Sequence, residues 1–257
     1  MMNETLYSHL ITGMTLTALV VFVCLYFVNA GYGKFRTRQW GWSIDNRLGW
    51  VLMEAPVFLV MLAVWGMAGF SLHVPELVFL GLFLLHYFQR SFVFPFLLKG
   101  RSRMPVVIML MGITFNVING VLQGGGLYWF PNPDFEHGAE YLTHWNAVLG
   151  VVLFFMGLYI NWRSDSIIRH LRRDPADTRH YLPSHGMYRY VTSANYLGEI
   201  IEWTGFALAV ANPAAWLFVL WTAANLVPRA HAIYKKYRQE FGSEALASRK
   251  RIIPFIY

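Results

Sequence analysis

The sequence predicts an all-α fold: a polytopic membrane bundle of seven transmembrane helices forming one domain over residues 1–257, with the N-terminus outside and the C-terminus cytoplasmic. Three observations predict it. Hydrophobic residues make up 56% of the 257 and charged residues only 14%, against about 25% charged in an ordinary soluble domain. A soluble globule of this length cannot hide so much apolar surface, so lipid must replace water around most of it. Uncharged stretches of spanning length follow one another in quick succession, and nearly all Lys and Arg fall between them on one side. A soluble enzyme, a disordered chain and a secreted disulfide scaffold are excluded. The single Cys24 has no partner for an internal disulfide.

A helix needs about 20 apolar residues to cross the hydrocarbon. Leu6 to Ala30 is the first such run. It lacks a basic start and a small-residue cleavage pattern and is too long for a signal peptide, so it is read as a helix. Leu48 to Phe70 is the second, interrupted only by Glu54. Leu77 to Leu98 is the third, interrupted by Arg90. The fourth runs from Met104 to Phe130 and the fifth from Trp145 to Trp162. Between Tyr190 and Pro228 the only charges are Glu199 and Glu202. That stretch is long enough for two crossings, at about 1.5 Å of rise per residue, and Asn212-Pro213 is the natural break.

If seven helices alternate, the loops at 31–47, 99–103 and 163–190 and the C-terminal part lie on one side. They carry every Lys and Arg except Arg90. The opposite loops carry none, and the one at 130–144 is acidic. The positive-inside rule then places the C-terminus in the cytoplasm. The net charge of +7 is thus tied to membrane loops, which excludes nucleic acid as a partner. The halves show no mirrored acids, which argues against an inverted-repeat transporter.

Charged side chains inside spans cost about 2.5–3.5 kcal/mol each on insertion scales, so each needs a reason. Glu54 reads either as a structural hydrogen bond to a neighbouring helix or as a carboxyl group able to donate to a carbonyl. Tyr87, in His86-Tyr87-Phe88-Gln89-Arg90, offers a second hydroxyl donor. Asn195, Glu199 and Glu202 fall at i, i+4 and i+7, which places an amide and two carboxyl groups on one helical face. No histidine stands at the Glu-x-x-His spacing of a metal site, so a ligand rich in hydroxyl and amide groups fits better and no metal is expected. His86, His144, His170, His180 and His231 share no metal-ligand spacing and read as structural or interfacial. Asn161, Asp165, Arg169 and Arg172 make a similar stripe at the end of the fifth span. With Arg101, Arg103 and Arg229 they form a set able to clamp phosphates. No Gly-x-Gly-x-x-Gly or Walker loop is present, so a nucleotide would be held by side chains among helices.

These strings resemble the steroid 5α-reductases (3-oxo-5α-steroid 4-dehydrogenases), membrane enzymes that use NADPH to reduce the Δ4 double bond of 3-oxosteroids. The resemblance runs from Glu54 to Tyr257 through His86-Tyr87-Phe88, Asn119 to Gly124, Asn161 to Asp165, Asn195 to Trp203, Arg229-Ala230 and Arg249 to Ile256. It implies that Glu54 and Tyr87 hydrogen-bond the steroid 3-ketone. It implies cofactor contacts for Asn161, Asp165, Arg172, Asn195, Glu199, Arg229 and Tyr237. Arg101 and Arg103 of the cofactor-facing loop, and Asn119 and Glu202 of the matched strings, join that set. The substrate side is then mainly 1–98 and the cofactor side mainly 99–257. Met53 is apolar where some members carry an amide, which bears on steroid preference.

The expected chemistry is hydride transfer to C5 and protonation at C4 of a lipophilic 3-oxo-Δ4-steroid that enters from the bilayer. NADPH comes from the cytoplasmic side, to a monomer in a bacterial inner membrane or the endoplasmic reticulum. A related sterol C=C reductase differs only in the bond reduced. An isoprenylcysteine-type membrane methyltransferase is a further alternative, through the Ser184-His185-Gly186-Met187-Tyr188 string. S-adenosylmethionine has no phosphates to require the arginines. A carrier using Glu54, Glu199 and Glu202 as a proton relay is the non-enzymatic alternative.

Overall fold

A computed structural model describes residues 2–28, 31, 40–99, 102–133, 135, 137–171, 179 and 181–257. Arg101 and Arg172, both singled out above, lie outside the described residues. Among the described residues eight α-helices follow one another, and the apolar runs account for them. α1 (Glu4–Phe27) begins at Asn3, whose side chain accepts from the Leu6 amide at 2.8 Å and satisfies one of the free N–H groups of the first turn. α2 (Asn46–Met67) is capped by Asp45, which accepts from the amides of Arg47 and Leu48.

α3 (Val74–Phe88) passes through a π-helical turn at Gln89–Val93 into the short α4 (Phe94–Leu97). Pro95 has no N–H for the regular ladder, and the chain meets it with one widened turn, in which the Phe94 amide donates to the Gln89 carbonyl. The turn holds Arg90. α5 (Val106–Tyr128) and α6 (Trp145–His170) follow. α6 continues two turns past the apolar stretch that ends at Trp162.

α7 (Ala194–Val210) and α8 (Pro213–Phe241) divide at the expected Asn212-Pro213 break. Ala211 takes a left-handed conformation (φ 54°), the Asn212 side chain caps the Ala215 amide, and Pro213 occupies the first helical turn. Among the described residues five stretches are long and apolar enough to cross a membrane: α1, α2, the continuous 74–97 segment, α5 and α6. α7 has only 17 residues and carries Glu199 and Glu202, while α8 turns basic in its second half.

A small sheet departs from the all-α expectation. β1 (Ser43–Asp45) pairs antiparallel with β2 (Arg103–Pro105), Ile44 opposite Met104. It joins two of the basic loops, and Arg103 donates through Nε and Nη2 to the Ser43 carbonyl. At the other terminus, the amides of Thr192 and Ser193 donate to the carbonyls of Lys250 and Arg251. That strap holds the last residues under the start of α7.

α6 lies along α7, α2 along α5 and α1 along α8. The first pair is the tightest. A Cβ on Gly198 would lie 2.5 Å from the Asn161 amide nitrogen, and one on Gly150 would lie 2.5 Å from the Gly205 carbonyl. Gly157 and Gly205 likewise face backbone of the opposite helix. Glycine at these positions lets α6 and α7 touch backbone to backbone, as small residues do where helices associate in membranes. The core beside this seam is aromatic. Trp203 is buried among Phe83, Tyr87, Phe154, Phe206 and Phe218, with the Phe218 ring centroid at 4.5 Å.

Candidate active site

The glycine seam decides which polar side chains meet. Asn161 and Asp165 are one turn apart on α6, Asn195 and Glu199 one turn apart on α7, and the close backbone contact brings the two pairs together. Asn161 donates through Nδ2 to the Asn195 carbonyl at 3.0 Å and to Glu199 Oε2 at 3.4 Å. Asn195 donates to Asp165 Oδ1 at 3.0 Å and accepts from the Tyr188 hydroxyl at 3.5 Å.

Arg90 closes the cluster from the π turn. Its guanidinium reaches Asp165 Oδ2 at 3.7 Å and Glu199 Oε2 at 3.8 Å, and it stacks on Trp50 and Phe94 with 4.7 Å to each ring centroid. A cation between two carboxyl groups, with aromatic faces behind it, offsets the cost of burying all three. Composition gave Arg90 only as the lone basic residue within a span. That rarity was the signal for it.

Glu54 on α2 and Tyr87 on α3 lie next to this cluster. Glu54 accepts from Asn116 at 3.3 Å, and Asn116 also donates to the Met53 carbonyl at 2.7 Å. Glu54 is within electrostatic reach of Arg90, Glu199 and His86, and Tyr87 of Glu54 and Glu199. The Tyr87 hydroxyl accepts from Asn119 Nδ2 at 3.4 Å, and Asn119 in turn accepts from Gln123 at 3.2 Å. The Asn119 amide is therefore engaged with Tyr87.

Glu202 is fully buried, and its Oε1 lies 2.8 Å from His86 Nδ1. It shares a face with Asn195 and Glu199 but turns toward α3, while Glu199 meets Arg90 and Asn161. His86 was read from sequence as structural, and its bond to Glu202 could not be seen there.

The remaining site residues spread toward the basic end. Arg229 donates through Nε to the Tyr196 hydroxyl at 2.9 Å. Tyr237 is buried, and that burial pushes its hydroxyl above the ordinary tyrosine value, with Tyr196 and Glu240 adding to the effect. Arg249 donates to the Pro183 carbonyl at 2.7 Å. Arg103, bound to Ser43, is exposed.

Ser91 Oγ, Asp165 Oδ2, Arg169 Nη1, Ser193 Oγ and Glu202 Oε2 are buried here without a hydrogen-bond partner among the described residues, although Asp165 Oδ2 faces Arg90. Buried polar groups are almost always bonded. Donors and acceptors with unused bonding capacity beside an amide-and-carboxylate cluster suit a ligand that carries hydroxyl, amide and phosphate groups.

A family model described as 3-oxo-5-alpha-steroid 4-dehydrogenase matches residues 102–257. The chain is 38% identical to a 3-oxo-5-alpha-steroid 4-dehydrogenase 2 of Sus scrofa, with 97% of each chain covered. It is 38% identical to the Homo sapiens protein of the same name, over 95% of this chain and 94% of the relative. It is 31% identical to a steroid 5-alpha-reductase DET2 of Gossypium hirsutum, over 99% of each.

Proposed function

The chain belongs to the 3-oxo-5-alpha-steroid 4-dehydrogenase family, and from that premise we propose that it reduces the Δ4 double bond of a 3-oxosteroid with NADPH, placing hydride on C5 and a proton on C4. Membership sets aside the methyltransferase and carrier readings. The observation that carries the proposal is the clustering of Asn161, Asp165, Asn195 and Glu199 around Arg90, beside Glu54 and Tyr87, inside an apolar bundle.

Asn161, Asn195, Glu199 and Asp165 bind the nicotinamide and ribose. Arg229 and Tyr237, with Arg101, Arg103 and Arg172 from the basic loops, bind the phosphates and the adenosine end. NADPH supplies the hydride when bound. Glu54, as the neutral carboxylic acid, and Tyr87 donate hydrogen bonds to the 3-ketone. They stabilise the negative charge that grows on that oxygen as the β-carbon is reduced, and two fixed donors in a dry site act strongly on such charge. Asn116 fixes Glu54 and Asn119 fixes Tyr87, so both donors are positioned before the steroid arrives. Glu202 is held by His86 and orients α3 against α7.

The bundle crosses the membrane seven times, with α7 and the apolar part of α8, to about Pro228, as the last two spans, and as a monomer. The arginine-rich end faces the cytoplasm of a bacterium or the cytosolic face of the endoplasmic reticulum. The steroid enters between helices from the lipid.

Purified protein with testosterone or progesterone should consume NADPH. Glu54→Leu and Tyr87→Phe should each lower kcat/KM by roughly 10²–10³-fold, the usual effect of removing one such donor. Wild-type turnover in both variants would overturn these roles.

A further inference from the structure

Away from the active site, at the end of the bundle opposite β1 and β2, three side chains converge. Glu76, in the first turn of α3, is 3% exposed. Its Oε1 lies 2.7 Å from His137 Nδ1, while its Oε2 is buried and has no hydrogen-bond partner among the described residues. His73, immediately before α3, faces His137 with ring centroids 4.8 Å apart. One ligand atom from each of the three lies within 4.8 Å of the others.

We propose that His73, Glu76 and His137 form a binding site for one divalent transition-metal ion, Zn²⁺ by preference. A simple hydrogen-bonded pair of Glu76 and His137 accounts for one carboxylate oxygen. It leaves the second oxygen and the facing His73 ring unexplained. Two imidazoles and one carboxylate are a donor set zinc takes in tetrahedral sites, with the fourth position open to water. Imidazole ligands favour zinc and its neighbours over magnesium and calcium, which prefer oxygen.

Zinc bonds of about 2.0–2.2 Å require the three ligand atoms to draw closer together. His73 and His137 are both exposed, so rotation of surface side chains supplies that movement. Tyr128 lies within electrostatic reach of Glu76, and its buried hydroxyl also lacks a hydrogen-bond partner. It stands where an outer group would orient a ligand or a bound water. The metal would fasten the 137–144 segment to the start of α3, two pieces of chain 61 residues apart. This departs from the expectation of no metal. That expectation weighed five other histidines and looked for Glu-x-x-His, whereas His73-x-x-Glu76 has the reverse order and its third member is distant in sequence.

The test uses the full chain in detergent, with an affinity tag free of histidine, stripped with EDTA and titrated with zinc sulfate alone by calorimetry. The expected result is one zinc per chain. Binding should be at least ~10-fold weaker in His73→Ala and in His137→Ala. Zinc should raise the melting temperature of the wild type and not of these variants. Glu76→Gln, which keeps the buried shape, should lose zinc in the same way. Both histidine variants should keep wild-type steroid turnover, which verifies that they fold. Equal zinc affinity and stoichiometry in wild type and both histidine variants would overturn the site. So would no binding at zinc concentrations on the order of 100 μM.

Discussion

Replacing Gly198 with Ala adds one methyl group at the seam between α6 and α7. Built on the present backbone, that Cβ would lie 2.5 Å from the Asn161 nitrogen and 2.7 Å from the Gly157 carbonyl, where ordinary contact begins at 3.4 Å. Both neighbours are backbone atoms, so neither can rotate aside, and the helices must separate by about 0.9 Å to relieve the closer contact. The Asn161 Nδ2 to Asn195 carbonyl bond, now 3.0 Å, would stretch to about 3.9 Å, outside the hydrogen-bond range. The 3.4 Å contact from Asn161 to Glu199 would go with it. Overpacking of this kind costs about 1–3 kcal/mol, and each lost hydrogen bond about 1 kcal/mol. Thermal melts in detergent should show the loss of stability, and fluorescence titration should show NADPH binding weakened ~10-fold or more. Gly81→Ala is the control, since a Cβ there meets nothing within 4 Å, and it should melt and bind as wild type. If Gly198→Ala also behaves as wild type in both assays, the seam does not set the cofactor cluster.

Arg90→Met keeps the stem on Trp50 and Phe94 but leaves Asp165 and Glu199 facing each other without their cation. Removing one partner of such a buried arrangement costs about 3–5 kcal/mol, so the melting temperature should fall sharply and NADPH binding should vanish; a wild-type melt would refute the role. His86→Ala strips the Glu202 side chain of the one hydrogen bond it makes among the described residues and should destabilise by about 1–3 kcal/mol. Glu202→Gln, which can still bond the imidazole, should cost less in the same melts. His231, past the apolar part of α8, is held below the ordinary histidine value by burial and then by Arg251 and Lys235. Folding therefore favours its neutral form. That contribution is fully present above the unfolded value of about 6.5 and is lost as pH falls through the lower folded value. Melting temperatures taken from pH 7 down to pH 5 should fall further in the wild type than in His231→Gln.

Much of this architecture was legible because lipid enforces it. Apolar runs between charged loops gave each long helix to within about two turns, except α8, which continues 13 residues past Pro228 because its last turns are basic rather than apolar, and Asn212-Pro213 gave the break through capping chemistry alone. The four-residue spacing of Asn161 with Asp165, and of Asn195 with Glu199, put each pair on one face. Nothing local says that the two faces meet, since that follows from Gly157 and Gly198 allowing backbone contact between helices distant in sequence. The π turn was hidden for a similar reason. A proline near a helix end reads as a stop, and whether the ladder widens or breaks depends on what the re-aimed side chain finds. Here Arg90 finds two carboxyl groups and two rings. The Glu202–His86 bond is not legible in the sequence because the helical wheel groups Glu202 with Glu199, and nothing local says that α3 stands opposite Glu202. Strands of three residues such as β1 and β2 carry no pattern long enough to read. α7, with 17 residues and two acids, was read as a full span from its continuity with α8 rather than from its own length.

The central claim is hydride transfer to C5 of a 3-oxo-Δ4-steroid by residues gathered at the α6–α7 seam and the Glu54–Tyr87 pair. Incubating the purified protein with testosterone and NADPH deuterated at the transferable position of the nicotinamide, then analysing the steroid by mass spectrometry and NMR, tests it most directly. The account predicts a 5α-reduced product with one deuterium at C5 for each NADPH consumed, formed at least ~100-fold more slowly by the Glu54→Leu variant. An unreduced steroid, or a reduced one with deuterium at C4 or at the carbonyl carbon, would contradict it.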